Sequence, residues 1–439
     1  MGRRGPRITS PAGLYDLLTA DEDARACREI PDEACRVQPE NFLLHLLAST
    51  ATKIGDELAS AKLVLAWLMA TLSAPPGLVA LLVPIREAGA LLPQLAVAGY
   101  LRRASVRKWF WVAGSVVQGL AVTGMGLVAV GLEGAPAGWA ILALLVLFSL
   151  ARGICSVAHK DVLGKTIDKR RRGTVMGYAA AIAGLATIAI GAVIAVLRGT
   201  EVGPELFLAL LGAAGLLWLL AALIFAALRE RPGATEGGAS ALGEALASLD
   251  LLRREPDFRH FLITRGLLLS TALSMPYYVV LAQGLGQGGA GLGMLMVASG
   301  LAASISAPIW GRLSDRSSRL TLAASAVVAA LAGLAVFLVT LPEHSYGIEF
   351  YLIAGLYLVL NVAHSGVRLG RKTYLVDMAT SETRASYTAV SNTFIGALLL
   401  FGSLFGLVAE TLGTRYLLLI LALVALLAAV SAWRLPEVE

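Results

Sequence analysis

Lys53, Asp56, Glu57 and Ser60 recur at i, i+3, i+4 and i+7 inside an apolar run, so a helix there presents all four on one face. Lys53 can neutralise one carboxylate at full strength, which leaves the other free to exchange a proton. Asp56 and Glu57 are both candidates for reversible protonation; spacing does not rank them, and the shorter, more rigidly held stem favours Asp56. A charge at the centre of a bilayer costs on the order of 2.5–3.5 kcal/mol even on mild scales. The chain accepts that cost repeatedly, with Lys62, Arg86, Glu87, Arg152, Arg265 and His364 also inside apolar runs. Adjacent Arg86 and Glu87 diverge by about 100° around a helix, so each must find its partner on another element. Pro84 and Gly89 flank them and offer a point of local opening. Lys53, Arg86, Glu87, Arg265 and His364 are expected to meet a polar solute, the alternative for each being an ion pair or polar contact between packed helices. Within the runs stand five basic groups (Lys53, Lys62, Arg86, Arg152, Arg265) and three acidic ones (Asp56, Glu57, Glu87). That excess favours an anionic or zwitterionic solute.

The elements that carry these groups are long and apolar. Apolar residues make up 57% of the 439 and charged residues 15%, against about 45–50% and 25% in soluble domains. Runs near the roughly 20 residues that a bilayer requires fall at 42–72, 76–99, 109–132, 138–159, 174–197, 204–228, 258–283, 290–311, 320–341, 347–368, 387–410 and 413–435. The expected fold class is therefore an all-α integral membrane protein with twelve transmembrane helices. Residues 1–41 begin Met1-Gly2-Arg3-Arg4 but lack an apolar core, and read as a cytosolic lead-in rather than a cleaved signal. Leu14, Leu17 and Leu18 are placed to form one amphipathic turn there.

Charge sets the orientation. Of the 36 Lys and Arg residues, 29 lie in the termini and loops of one side and only Arg198 and Arg415 on the other. Cytoplasmic loops carry the excess of Lys and Arg, so both termini are expected in the cytoplasm, as in the plasma (bacterial inner) membrane. A segment at 229–257, opening with Arg231-Pro232-Gly233 and carrying Leu242, Leu246 and Leu249 at helical spacing, separates residues 42–228 from 258–435. It reads as a cytoplasmic linker with an amphipathic helix between two sets of six spans.

The two sets match at an offset of 212 residues. Gly99-Tyr100-Leu101 falls on Gly311-Arg312-Leu313, Lys53 on Arg265, Arg152 on His364, Lys160 on Lys372 and Arg172 on Arg384. Internal repeats of this kind let transporters build a site at the interface between halves. The segment Gly311-Arg312-Leu313-Ser314-Asp315-Arg316-Ser317-Ser318-Arg319 resembles the loop signature Gly-x-Leu-x-Asp-Arg-x-x-Arg of the major facilitator superfamily. The resemblance implies two six-helix bundles rocking about a central cavity. It also implies a gating role for Gly311, Asp315, Arg316 and Arg319, with Asp315 meeting the start of the fifth span near Thr174, and a proton-coupling role for Arg152. The first copy of the signature departs from the pattern, with Arg103 in place of the aspartate. Gly177, Gly184 and Gly191 stand seven apart in the fifth span without the Gly-Pro pair of the superfamily's drug exporters, and read as a close-packing stripe.

No phosphate-binding Gly-x-x-x-x-Gly-Lys-Ser/Thr, His-Glu-x-x-His or Gly-x-Ser-x-Gly occurs in the sequence. Cys27, Cys35 and Cys155 lack the spacing of a metal site and are expected as reduced thiols. The expectation is a monomeric secondary transporter with no cofactor and no nucleic-acid partner, moving a small solute together with protons across the lipid bilayer. The rival readings are a drug or metabolite efflux antiporter and a non-transporting sensor built on a transporter fold.

Overall fold

The computed structural model describes residues 14, 15, 18, 19, 27, 30–101, 103–197, 203–233, 251–341, 347–380 and 384–438. Their regular structure is helical. The first half contains α1 (Asp32–Leu58), α2 (Val64–Thr71), α3 (Pro76–Leu91), α4 (Pro93–Leu101), α5 (Lys108–Gly131), α6 (Gly134–Thr166), α7 (Lys169–Leu197) and α8 (Pro204–Ala226). After a single turn at Leu251–Arg254, the second half contains α9 (Pro256–Leu267), α10 (Ser270–Gly284), α11 (Gly288–Ser314) and α12 (Ser318–Val339). It ends with α13 (Glu349–Met378), α14 (Arg384–Phe401), α15 (Phe405–Leu412) and α16 (Thr414–Trp433).

Among the described residues, ten helices are long and apolar enough to cross a membrane, two of them counted across a break (Pro256–Gly284 and Ser386–Leu412). The first two expected spans are not in that set, and each is interrupted. The first divides into α1 and α2 at residues 59–63, where the Leu65 N–H reaches back five residues to the Ser60 carbonyl (2.9 Å). The second divides at Leu92, because Pro93 has no N–H for the preceding turn. Two expected boundaries also move outward: α1 starts at Asp32, inside the lead-in, and α13 runs to Met378, ten residues past the end of the tenth predicted span. At 1.5 Å per residue the 30 residues of α13 reach about 45 Å, well beyond a 30 Å hydrocarbon core.

Each half packs chiefly on itself, through α5 on α8, α6 on α5 and α3 on α6 in the first and α12 on α13 and α16 in the second. The halves meet through α7 on α11, α3 on α14 and α2 on α10. At one end they share a single core that includes Trp67, Trp218, Tyr277, Leu295 and Leu417. At the end bearing the basic loops the cores are separate: Phe258, Phe261 and Tyr374 in the second half, Trp111, Val162 and Phe225 in the first. The halves are thus closed at the end away from the basic loops. There the Gly77 N–H donates to Glu410 Oε1 across the interface (2.9 Å).

The glycine stripe of α7 serves this contact in part. A Cβ on Gly191 would stand 2.8 Å from the Gly293 carbonyl of α11, and a Cβ on Gly300 would stand 3.1 Å from the Gly184 carbonyl. Gly177 meets nothing within 4 Å and takes no part. At the basic end, two arginines 212 residues apart are each held by a carboxylate. Arg107 pairs with Asp161, and Glu230 accepts from the Arg107 and Lys108 N–H groups at the start of α5. Arg319, 212 residues on from Arg107, pairs with Glu437 (2.7 Å) and lies over the Trp433 ring.

The lead-in differs from expectation in two ways. Tyr15 is its buried anchor, with Leu14 and Leu18 half-buried and Leu17 outside the described residues: Tyr15 packs edge-on against Phe42 (5.1 Å) and its hydroxyl accepts from Gln38 Nε2 (2.8 Å). Tyr178 of α7 donates to the Leu18 carbonyl (3.0 Å), so these residues rest on helix ends. Cys27 and Cys35, expected as thiols, are joined by a disulfide; Cys155 is a buried free thiol. The amphipathic stretch at Leu242, Leu246 and Leu249 lies outside the described residues.

Candidate substrate and coupling site

Lys53, Asp56, Glu57, Arg86, Glu87, Arg152, Arg265 and His364, all singled out by sequence, line one cavity of about 950 Å³ between the halves. A smaller lobe of about 170 Å³ continues inward past Ser60, Lys62, Tyr357 and Asn361. Breaks in the backbone place several of these groups. Asp56 and Glu57 occupy the last turn of α1, Lys62 stands in the gap before α2, and Arg265 occupies the last turn of α9 before the gap to α10. Interrupted helices of this kind mark binding sites at the repeat interface of membrane transporters.

The pairing differs from the sequence reading. Asp56 does not pair with Lys53 but bridges two cations on other elements, Arg86 of α3 (3.0 Å) and Arg152 of α6. The Arg86 guanidinium also sits 4.9 Å from the centre of the Phe148 ring, which packs edge-on against Trp218. Arg86 finds its partner on α1, while both Arg86 and Glu87 line the cavity. Among the described contacts, no ion pair reaches Glu57, Glu87 or Lys53.

A second linkage joins the halves. Lys62 Nζ donates to His364 Nε2 (3.0 Å), and His364 Nδ1 lies 2.9 Å from Thr271 Oγ1, which donates to the Leu268 carbonyl (2.9 Å). With Nε2 accepting from an ammonium, the ring proton belongs on Nδ1. His364 therefore joins Lys62 of the first half to α10 of the second.

Sequence reasoning missed Arg368, Arg371 and Lys372, which it placed in a loop. They lie on α13 and line the cavity, raising its basic groups to eight against three acidic. Their signal was available as i+4, i+7 and i+8 from His364 on a continuing helix face. Ser299, Asn361 and Ser365 add neutral polar surface.

The loop signature is only partly engaged. Gly311 lines the cavity rim, Asp315 and Arg316 are exposed, and Arg319 is held by Glu437. No described contact joins Asp315 to the start of α7 near Thr174. This agrees with halves that are apart at the basic end.

A polar cavity thus lies between the two halves of this helical chain. Residues 261–439 match the model of the Major Facilitator Superfamily. A crystal structure of a D-xylose–proton symporter superposes with a TM-score of 0.68 at 14% identity, over 92% of this chain and 98% of that one. A POT family transporter in complex with 5-aminolevulinic acid gives 0.68 at 10% identity, over 89% and 95%. The nucleoside transporter NupG gives 0.63 at 13% identity, over 89% and 98%. No curated protein matches the chain by sequence. The chain thus has the major facilitator transporter fold, with the family's sequence pattern in its second half.

Proposed function

We propose that the chain is a secondary transporter that moves a small anionic or zwitterionic solute by alternating access, coupled to protons. The observation that carries this reading is the cavity itself. It is closed at one end, lies between the two halves, and is lined by eight basic and three acidic groups. In this reading the chain crosses the bacterial inner membrane twelve times as two six-helix bundles, residues 42–228 and 258–435. Both termini are cytoplasmic, the cavity faces the cytoplasm, and the protein works as a monomer. Gly311, Asp315, Arg316 and Arg319 form the gate, and Asp315 reaches the positive N-terminal end of α7 when the basic end closes.

Protonation belongs to the Asp56–Glu57 pair with Arg152. Asp56 is occupied by two guanidiniums, whereas Glu57 makes no described ion pair and lines both lobes of the cavity. Charged neighbours act on Glu57 from Asp56 and Lys53 on its own helix, from Lys62 at the break and from Arg368 on the opposite half. Rocking of the halves changes the distance to Arg368, and with it the charge that Glu57 favours. Glu57 is therefore assigned the coupled proton and Asp56 the organisation of the site.

In proteoliposomes, Glu57→Gln should reduce pH-gradient-driven accumulation at least tenfold while leaving substrate exchange within about twofold of the unsubstituted protein. A Glu57→Gln variant that retains full pH-driven accumulation would place the proton elsewhere. Accumulation of lipophilic cations alone would replace the anion reading with drug efflux.

A further inference from the structure

The two walls of the cavity do not share its charge equally. On the first-half wall four basic groups stand with Asp56, Glu57 and Glu87, and Asp56 alone holds two of the cations. On the second-half wall Arg265, Arg368, Arg371 and Lys372 stand with no carboxylate among the lining residues.

Arg265 is only 7% exposed. Its guanidinium donates to Ser391 Oγ and to Asn392 Oδ1 (3.1 Å), both neutral, and its Nε has no partner. The charged group that acts on Arg265 is another cation, Arg371. Arg368 and Arg371 stand three residues apart on α13, so they share a face, and neither makes a described ion pair. The one acid that acts on Arg371 is Glu87, on the opposite half.

Arg265 is buried without a counter-ion, Arg371 is half-buried and Arg368 is exposed at the cavity surface, and guanidinium groups match phosphate and carboxylate oxygens in bidentate geometry. A monoanion or a zwitterion leaves most of this charge uncompensated. We infer that the second-half wall is the binding site for a solute carrying at least two negative charges on phosphate or carboxylate groups, held by Arg265, Arg368 and Arg371. The inference rests on the transport reading above only in taking that anion as cargo; the binding site itself does not depend on it.

Thermal unfolding of the purified full-length chain in detergent, at constant ionic strength, tests the inference. The probes are inorganic pyrophosphate and citrate, compared with acetate and glycine. Pyrophosphate or citrate should raise Tm saturably by several degrees while acetate and glycine do not, and which of the two acts identifies phosphate or carboxylate chemistry. Arg371→Gln and Arg368→Gln should each weaken the apparent affinity at least tenfold. Arg265→Lys keeps the charge and guards against a folding defect in Arg265→Gln; it should retain partial binding. The inference is overturned if neither multivalent anion stabilises the protein, or if the shift is unchanged in both Arg371→Gln and Arg368→Gln. Stabilisation by acetate or glycine alone overturns it and leaves the transport reading standing. Pyrophosphate or citrate binding without counterflow of that anion in proteoliposomes does the reverse.

Discussion

Asp56 organises the first-half wall by holding Arg86 and Arg152 at once, from a side chain about one-fifth exposed to the cavity. Removing one member of a buried pair leaves charge uncompensated, typically at about 3–5 kcal/mol. Water in the cavity reduces this, so Asp56→Asn is expected to destabilise the protein by about 2 kcal/mol. Glu57→Gln, which breaks no described ion pair, should leave Tm nearly unchanged. Equal Tm losses in the two variants would show that Asp56 is not the organising residue. Helical spacing revealed which residues share the α1 face, because that depends only on local geometry. It did not reveal that Asp56 passes over Lys53 for Arg86 and Arg152, since that choice is made between α1, α3 and α6 and has no trace in the spacing.

At the scale of elements, the helices themselves were legible from apolar length, and their interruptions were not. The gap at 59–63 and the break before Pro93 fall inside runs that hydropathy reads as continuous. The extension of α13 through Arg368 and Arg371 was hidden for a related reason: charge density signals a loop when a long helix instead turns its charged face to a water-filled cavity. The contact of α7 with α11 depends on backbone approach at Gly191 and Gly293, where a Cβ on Gly191 would lie 2.8 Å from the opposing carbonyl. Gly191→Val should therefore wedge the closed end apart. Spin labels at Glu133→Cys and Arg415→Cys, exposed sites on opposite halves near that end, should report a longer-distance population in this variant. An unchanged distance distribution would show that the glycines are not what holds the closure.

For the whole molecule, the offset that pairs Lys53 with Arg265 and Arg152 with His364 was read from scarce charged residues, and all four line one cavity. Which end is closed was not legible, because hydropathy and charge patterning do not encode how the two halves tilt against each other. In the proposed function this cavity opens to each side of the membrane in turn. Ser299→Cys, whose side chain lines both lobes, tests it on a background with Cys27, Cys35 and Cys155 replaced by Ser. The measurement is labelling by an impermeant thiol reagent in vesicles of each orientation. Labelling from both sides is expected, with labelling from the Glu410 side lost when Gly77→Cys and Glu410→Cys are cross-linked. Labelling from the basic-loop side alone, with or without that cross-link, would contradict it.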